Sequence, residues 1–374
     1  MVYAFEDVDM KIAMIGQKAI PSRSGGIEVH VEELSKRMAN MGHDVMVYCR
    51  ESHIDLAAGI VPGVKTKVIP YINTKHLEAF SHSFFSMLHA LFDGAEVFHF
   101  HALGPAVFAL LPHLLRRKVV VTVHGLDWQR DKWGGFAMKF LKFGEYASVR
   151  FADRTISVSE SLVPYYSEKY KNAIYFIPNG VKKAEYVPVR VIEEKHGLKK
   201  DEYILFLARI VPEKGLHYLI DAFRSIDTSK KLVIAGGSSH SDDYMESLIR
   251  QASDDERMIF TGFVKGRELE ELYANCYAYV LPSDVEGMPI SLLEAMSSGA
   301  CCLVSDIPEN LSVIKKYGIH FKKSNVEDLK DKLKFLLSND LLRIEMGIKA
   351  KQYVNDAYNW DTVAKQTLAV YESI

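Results

Sequence analysis

Residues 11–49 of the chain read KIAMIGQKAIPSRSGGIEVHVEELSKRMANMGHDVMVYC. The apolar run Lys11–Gly16 predicts a strand that ends in a glycine-containing loop, and Val45–Cys49 predicts a second strand. Gly42 lies before the second strand as a helix stop signal. The segment between the strands places apolar residues on one helical face: Ile27, Val31, Leu34, Met38 and Met41. Strand, loop, helix and strand in this order open a Rossmann-like domain, in which parallel strands are flanked by helices.

Similar apolar runs recur along the chain and predict further strands. We therefore predict an α/β protein of two Rossmann-like, doubly wound domains that face each other across a cleft. The turn formers in Ile177–Val181 place the boundary just beyond them, which gives domains over residues 1–185 and 186–356. We expect a ligand in the cleft, at the carboxyl ends of the strands. The further predicted strands are Val97–Phe100, Val119–Val123, Tyr203–Ala208, Lys231–Ala235, Met258–Phe260, Tyr277–Leu281 and Ala300–Val304.

The composition is that of a globular protein, and 374 residues are enough for two apolar cores. With 48% hydrophobic and 25% charged residues, the chain is neither disordered, nor a collagen, nor a disulfide-rich miniprotein. The net charge of −2 gives no electrostatic reason to bind nucleic acid, so we expect no nucleic-acid partner.

Three features predict a cytoplasmic location. Residues 1–10 are acidic and lack a basic segment followed by an apolar one, so we predict no signal peptide. No run reaches the roughly 18–20 apolar residues that a membrane-spanning helix needs. The cysteines follow no C-x-x-C spacing and are expected to be reduced core residues: Cys49, Cys276, Cys301 and Cys302.

The segment Ser283–Met296, SDVEGMPISLLEAM, carries the strongest signal for a binding site. It follows a predicted strand, and Pro289 suits the first turn of a helix because its missing N–H costs nothing there. Glu286 then lies in the loop before the helix. The free N–H groups of the first turn, at Ile290 and Ser291, favour an anion such as a diphosphate.

Glu294 lies further along the same predicted helix. It is about five residues from the first turn, roughly 7 Å along the helix axis, a plausible distance from a diphosphate to an attached ribose. A carboxylate can accept hydrogen bonds from both ribose hydroxyls. The alternative is that Glu286 and Glu294 are solvated residues of an ordinary surface helix.

A second candidate cluster is Arg209–Gly215, RIVPEKG, where a predicted strand ends and a helix begins. Arg209 and Lys214 can neutralise a diphosphate leaving group, whose negative charge grows as a sugar–phosphate bond breaks. The alternative is a pair of surface cations without a ligand.

Paired glycines and a histidine mark two further loops. Gly25 and Gly26 let backbone N–H groups approach a ligand closely, although a bare pair also fits a merely flexible loop. The segment from Gly16 to Gly26 does not fit G-x-G-x-x-G, so no dinucleotide fingerprint is present. His124 ends a predicted strand at the cleft side, with Asp127 nearby, and can contact the reacting group or be purely structural.

We expect no bound metal. His99 and His101 are explained by alternation along a buried strand. Asp284 and Glu286 resemble a carboxylate metal motif, but a cation at a helix N-terminus would oppose the helix dipole.

Taken together, these motifs resemble family 4 glycosyltransferases, retaining enzymes of the GT-B fold, over nearly the whole chain. Gly25-Gly26, His124, Arg209…Lys214 and Glu286-x7-Glu294 occur in the family's order and spacing. Asn179-Gly180 and Thr261–Val264 also match recurring family motifs. The segment His124–Trp133 is similar to bacterial members that build capsule, O-antigen or exopolysaccharide, some of them rhamnosyltransferases.

The resemblance implies a nucleotide diphosphate sugar as donor and no metal cofactor. Glu294 would hold the ribose, and backbone around Phe263 would meet the base. Residues that would surround the diphosphate are Gly26, Arg209, Lys214, Ile290 and Ser291, and Gly25 would belong to the donor-binding site.

The resemblance also implies which residues contact the transferred hexose or deoxyhexose. Glu286 and the Met288 N–H would contact its hydroxyls, with His124 near its far side and Asp127 toward the acceptor. Pro289 replaces a glycine common in the family, which leaves the donor sugar open. Retention is described there as same-face attack, with the leaving phosphate taking the acceptor proton, so Glu286 would position the sugar without becoming a nucleophile.

The acceptor implied by the resemblance is a glycan or a lipid-linked oligosaccharide. Lys75–Phe92 is rich in Phe and Leu, and Phe136–Phe151 interleaves Phe with basic residues, a chemistry that allows peripheral contact with an anionic membrane. Core-facing helices with a solvated basic edge explain both segments equally well. Residues 357–374 resemble the family's terminal helix, which packs back on the first domain.

Other functions remain open on sequence grounds. A sugar-nucleotide 2-epimerase shares the fold but needs no acceptor, and the paired glutamates with Arg209 and Lys214 favour transfer over it. A non-catalytic sugar-nucleotide-binding partner of another transferase is the second alternative, which the complete set of expected residues disfavours. A dehydrogenase is the third, and the missing dinucleotide fingerprint counts against it.

Overall fold

A computed structural model describes residues 9–21, 25–54, 59–74, 77–129, 134–239 and 241–374. Over these residues the chain forms two compact units. The first contains the described residues up to Asn179 together with Trp360–Ile374, and the second contains Gly180–Asn359. Each unit is built on one sheet of parallel strands.

The first unit carries a seven-stranded sheet in the order β3-β2-β1-β4-β5-β6-β7. Its central strands are apolar and buried, as parallel strands covered on both faces must be. Ile12 of β1 lies opposite Val45 on one side and Val97 on the other. The strands are β1 Lys11–Ile15, β2 Asp44–Cys49, β3 Lys65–Val68, β4 Val97–His101, β5 Lys118–Val123, β6 Arg154–Ser157 and β7 Tyr175–Phe176. Helices between them are α1 Gly26–Asn40, α2 Glu78–Phe92, α3 Leu103–Ala106, α4 Leu110–Leu114, α5 Gly135–Arg150 and α6 Leu162–Tyr170.

The second unit carries a six-stranded parallel sheet in the order β10-β9-β8-β11-β12-β13. A core on one face of this sheet packs α8, α9 and α13 around Phe206 and Phe223, which are fully buried. The strands are β8 Tyr203–Leu207, β9 Lys231–Ala235, β10 Met258–Gly262, β11 Ala278–Leu281, β12 Cys302–Ser305 and β13 Ile319–Phe321. The helices are α7 Val191–His196, α8 Leu216–Arg224, α9 Asp242–Ala252, α10 Arg267–Asn275, α11 Ile290–Ser297, α12 Pro308–Ile314, α13 Val326–Leu337 and α14 Asp340–Ala357.

The terminal helix α15, Trp360–Glu372, belongs to the first unit and packs on α1. Arg37 Nε of α1 lies 2.5 Å from Asp361 Oδ1. At the other end Tyr371 is fully buried, and its hydroxyl lies 2.5 Å from His99 Nδ1 on β4. The chain thus leaves the first unit near Asn179 and returns to complete it.

Both sheets reverse their strand order at one point, between β1 and β4 in the first unit and between β8 and β11 in the second. Open α/β sheets bind ligands at such switch points, outside the carboxyl ends of the strands. The predicted fold class is confirmed: two Rossmann-like, doubly wound units with a C-terminal helix that returns to the first.

The structure also bears on the expectations about the cysteines and about membrane-spanning helices. The four cysteines are buried and unpaired, and among the described residues no helix is long and apolar enough to cross a membrane. Some of the predictions fall on residues 1–8, Lys75 and Arg130–Trp133, which lie outside the described residues.

Candidate active site

Two loops meet at the switch point of the second sheet, and Gly215 brings them together. One loop follows β8 and the other follows β11. Gly215 has a φ of +66°, and a Cβ on it would lie 2.1 Å from the carbonyl oxygen of Pro282. Because real Cβ atoms do not approach a backbone oxygen so closely, only glycine allows this contact. Tight packing here fixes the position of Lys214, the preceding residue.

Lys214 and Glu286 form an ion pair between these two loops. Lys214 Nζ lies 2.5 Å from Glu286 Oε1, and the side chains are only 13% and 6% exposed. The hydroxyl of Ser283 donates a second hydrogen bond to the same carboxylate oxygen, at 2.7 Å. A cation and a carboxylate are therefore held at the carboxyl end of the sheet, 72 residues apart in sequence. The structure brings these two predicted site residues together.

Arg209 lies half-buried two residues beyond the end of β8. The backbone around it is fixed by a second close approach, since a Cβ on Gly236 would lie 1.9 Å from the carbonyl oxygen of Ala208. The N–H of Ile210 donates to the carbonyl of Gly237 at 2.8 Å. The guanidinium therefore starts from a rigid backbone at the same edge of the sheet as Lys214.

Helix α11 begins in the loop after β11. Pro289 is its N-cap residue, one position earlier than the first turn in which the sequence placed it, with φ −73° and ψ 111°. The first bonds to the Pro289 carbonyl come from the N–H groups of Leu292 and Leu293. The N–H groups of Ile290 and Ser291 thus precede the intrahelical hydrogen bonds, as an anion-binding helix start requires.

Three more residues predicted to contact the donor lie on neighbouring elements of the second unit. Glu294 is half-buried on α11, and its Oε2 accepts a hydrogen bond from the hydroxyl of Tyr273 at 3.2 Å. Phe263 follows β10 with 59% of its surface exposed, so its ring is accessible to a ligand. Met288 is buried just before the helix.

The paired glycines of the first unit open α1. Gly25 is the N-cap residue and Gly26 is the first helical residue. A Cβ on Gly25 would lie 2.5 Å from Glu28 Oε2, and Glu28 Oε1 accepts a hydrogen bond from the N–H of Lys18 at 3.0 Å. The Glu28 carboxylate thus lies against the glycines at the N-terminus of α1, where the helix dipole favours negative charge.

His124 follows β5 and belongs to a group of histidines in the first unit. Its Nε2 lies 3.3 Å from His101 Nδ1, and its ring centroid lies 4.8 Å from that of His30 on α1. Desolvation lowers the pKa of His30 to about 4 and holds the pKa of His101 well below its ordinary value. Both buried rings are therefore neutral at pH 7. Asp127 begins a short 3-10 turn just after His124.

Sequence analysis missed five residues that shape these sites. Gly215 and Gly236 allow the close approaches, Ser283 and Tyr273 hydrogen-bond the two glutamates, and His30 joins the histidine group. Only Gly215, directly after the basic loop, carries a sequence signal that could have been used.

Comparison with known proteins places the chain in a family. The family described as "Glycosyltransferase Family 4" matches residues 24–185, and "Glycosyl transferases group 1" matches residues 189–353. An uncharacterised glycosyltransferase of Methanocaldococcus jannaschii, MJ1607, is 30% identical over 97% of this chain and 98% of its own length. The chain belongs to glycosyltransferase family 4.

A further relative and a solved structure resemble the chain, and the solved structure bears on the fold alone. The N,N'-diacetylbacillosaminyl-diphospho-undecaprenol alpha-1,3-N-acetylgalactosaminyltransferase of Campylobacter jejuni is 27% identical over 61% of this chain and 62% of its own. The crystal structure of Anabaena HepE in complex with UDP-glucose has the same fold, with a TM-score of 0.82 at 16% identity over 98% of this chain and 100% of that one. This family 4 glycosyltransferase thus has the expected GT-B fold, and family membership favours sugar transfer over the epimerase, binding-partner and dehydrogenase alternatives.

Proposed function

We propose that this glycosyltransferase moves a hexose or deoxyhexose from a nucleotide diphosphate sugar to a glycan or lipid-linked acceptor, with retention of anomeric configuration, in the synthesis of a bacterial surface polysaccharide. The observation that carries the proposal is the buried Lys214–Glu286 pair at the switch point of the second sheet. The pair supplies a cation for the leaving group and, directly beside it, a carboxylate for the sugar hydroxyls.

The diphosphate is proposed to bind Arg209, Lys214 and the N–H groups of Ile290 and Ser291. A guanidinium fork, an ammonium and a helix N-terminus each favour phosphate oxygens. As the sugar–phosphate bond breaks, negative charge grows on these oxygens, and cations that are already in place lower the barrier. These two cations take the role that a divalent ion has in other transferases, so we propose that transfer requires no metal.

The sugar is proposed to contact Glu286, the Met288 N–H and His124, with Gly25 and Gly26 lining the donor site and Asp127 on the acceptor side. Glu286 already accepts hydrogen bonds from Lys214 and Ser283 on one carboxylate oxygen. Those bonds stabilise its charge and weaken it as a nucleophile, which supports same-face attack without a covalent intermediate. Isolation of a glycosyl–Glu286 adduct would contradict this assignment.

The donor is identified by a thermal-shift panel with UDP, GDP, ADP and dTDP sugars. A donor present at 100 times its Kd should raise the free energy of unfolding by about 2.7 kcal/mol. The matching donor is then incubated without acceptor, where a 2-epimerase would convert it and a transferase would not. The proposed function would be refuted if none of the four classes of nucleotide sugar stabilised the protein. It would also be refuted if the protein converted the donor into its 2-epimer in the absence of acceptor.

Glu294→Ala is expected to weaken binding of the free nucleotide. The carboxylate is proposed to accept hydrogen bonds from the ribose hydroxyls, and hydrogen bonds to a charged group are worth about 1.5–3 kcal/mol, or about 10–150-fold in Kd. Calorimetric titration of the nucleoside diphosphate measures the change. Tyr273→Phe removes the hydroxyl that donates to Glu294 at 3.2 Å and serves as the control, because it leaves the carboxylate in place. An unchanged Kd for Glu294→Ala would contradict the proposal that this carboxylate binds the ribose hydroxyls.

A lipid-linked acceptor is supported by one face of α5. Phe136, Phe140 and Phe143 share this face at helical spacing. Phe136 is 87% and Phe143 46% exposed, while Phe140 packs against Phe80 of α2 with ring centroids 5.8 Å apart. Exposed lysines at 139 and 142 lie beside them. Apolar rings flanked by cations suit the surface of an anionic membrane, so we propose a cytoplasmic protein that contacts the inner face of the cell membrane.

The double variant Phe136→Ser/Phe143→Ser is expected to bind anionic vesicles less tightly than the wild type. Burying one such ring contributes about 1.5–3 kcal/mol, which is at least tenfold in partitioning for each. Pelleting with anionic vesicles at low and high salt measures the bound fraction, and Phe335→Ser, which changes a half-exposed phenylalanine of α13, is the control. Failure of the wild-type protein to pellet at any salt concentration would refute membrane contact.

A further inference from the structure

Three histidines of the first unit gather where α1, the end of β4 and the loop after β5 meet. His30, His101 and His124 each offer a ring nitrogen, and these nitrogens all lie within 4.8 Å of one another. Imidazole suits zinc and the other late first-row transition metals. Three histidines with an open fourth position form a common zinc arrangement.

His30 is held in the tautomer that a metal ligand needs. Its Nδ1 lies 2.8 Å from the side-chain oxygen of Asn179, which can only accept, so Nδ1 carries the hydrogen and Nε2 keeps the lone pair. His30 is 2% exposed, and its Nε2 has no hydrogen-bond partner within the described part of the chain. A buried acceptor without a partner costs free energy. Metal-bound histidines in general donate their other N–H to such an oxygen.

His101 also presents a lone pair toward the group. Its Nε2 lies 3.5 Å from the sulfur of Met14, a weak acceptor, so the tautomer that carries its hydrogen on Nε2 has a partner there and leaves the lone pair on Nδ1. That Nδ1 lies 3.3 Å from His124 Nε2. With Zn–N bonds of about 2.0–2.1 Å, two ligands of a tetrahedral zinc ion are separated by about 3.3 Å. This pair already has that spacing, whereas the widest separation in the group, 4.8 Å, has to shorten when the ion binds.

His99 differs from the other histidines of this region. Its Nδ1 lies 2.5 Å from the Tyr371 hydroxyl and its Nε2 lies 2.7 Å from the Thr122 hydroxyl. Both nitrogens are engaged, so His99 supports the neighbouring strand and is not a ligand.

We propose that His30 Nε2, His101 Nδ1 and His124 Nε2 bind one Zn²⁺ ion. The half-buried position of His124 leaves the fourth coordination position for a water molecule or another small ligand. The proposed ligands lie wholly in the first unit. His124 is also the residue proposed above to contact the sugar, so metal binding is measured without donor or acceptor.

The test uses the full-length, untagged protein after metal removal, without donor or acceptor. Competition with a chromophoric chelator is expected to give one tightly bound Zn²⁺ per chain, and Co²⁺ in its place is expected to show the intense visible absorption of a tetrahedral site. His124→Ala and His30→Gln should each weaken binding by about 100-fold or more, since even partners outside the ligand shell typically cost 10–100-fold. His82→Gln, at a buried histidine of α2 outside the cluster, should leave the affinity unchanged.

Circular dichroism and the unfolding midpoint of each variant identify those that remain folded. His124→Ala keeps the test decisive if a more deeply buried variant does not fold, because His124 is half-buried in a loop. Absence of tight Zn²⁺ binding would overturn the proposal. So would an octahedral Co²⁺ spectrum, or an affinity that His124→Ala leaves unchanged.

Discussion

Replacing Lys214 by alanine is expected to lower kcat by about 10²–10³-fold, the loss typical when one preorganised group that stabilises developing negative charge is removed. Lys214 lies in the loop that follows β8, with 13% of its side chain exposed, and it is paired to Glu286. Its ammonium is proposed to meet the leaving diphosphate, where charge increases most as the sugar departs. Steady-state kinetics with the matching donor measure the effect, which should fall mainly on kcat.

The same substitution also leaves Glu286 without its cation, at a site where the carboxylate is only 6% exposed. Removing one partner of a buried ion pair costs about 3–5 kcal/mol of stability. The double variant Lys214→Ala/Glu286→Gln should recover much of this stability and none of the activity. Lys231→Ala, at the opposite end of the same sheet, is the matched control. Full activity in folded Lys214→Ala would contradict the proposed role.

Gly215→Ala is expected to destabilise the second unit and to weaken donor binding together. A residue with φ near +66° costs about 1–2 kcal/mol when it gains a Cβ, because the left-handed conformation crowds that atom. The new Cβ would also overlap the carbonyl oxygen of Pro282 at 2.1 Å. Relieving the overlap separates the loop of Lys214 from the loop of Glu286. Thermal unfolding and nucleotide titration measure the two effects.

Gly197→Ala separates the cost of a left-handed backbone conformation from the effect of the overlap with Pro282. Gly197 has a φ of +60°, close to that of Gly215, and a Cβ there meets nothing within 4 Å. It should show the conformational cost alone and leave nucleotide affinity unchanged. Equal destabilisation in the two variants, with equal nucleotide affinity, would show that the contact with Pro282 does not support the site.

The fold class could be predicted because buried parallel strands leave a clear sequence signal. β1, β5 and β9 are short apolar runs between helical segments, and they lie where the sequence places them. Strands β3, β6, β7 and β13 were not predicted. β3 is KTKV and exposed, β7 has two exposed residues, and β6 and β13 are only four and three residues long, so none shows the apolar run of a central strand. Such strands form because a neighbouring strand offers hydrogen bonds, a cause that lies outside their own sequence.

The candidate site was predicted only as separate motifs. The basic loop suggested Lys214 as a ligand of the diphosphate, and the family resemblance implied Glu286 as a ligand of the sugar, whereas the structure pairs them directly across 72 residues. That contact depends on the glycine at 215, whose role follows from the distance to Pro282. His30 joins His101 and His124 for the same reason, since the packing of a helix on a sheet decides which distant side chains meet. The roles assigned to these residues stay predictions.

The central claim is that Arg209 and Lys214 bind the diphosphate of the donor. Calorimetry should compare the nucleoside diphosphate found by the donor panel with its monophosphate, in the wild-type protein and in Arg209→Ala and Lys214→Ala. We expect the wild type to prefer the diphosphate, and each variant to lose about 10–150-fold of that preference, the equivalent of about 1.5–3 kcal/mol for a charge-assisted hydrogen bond. A preference that stays the same in both variants would contradict the account.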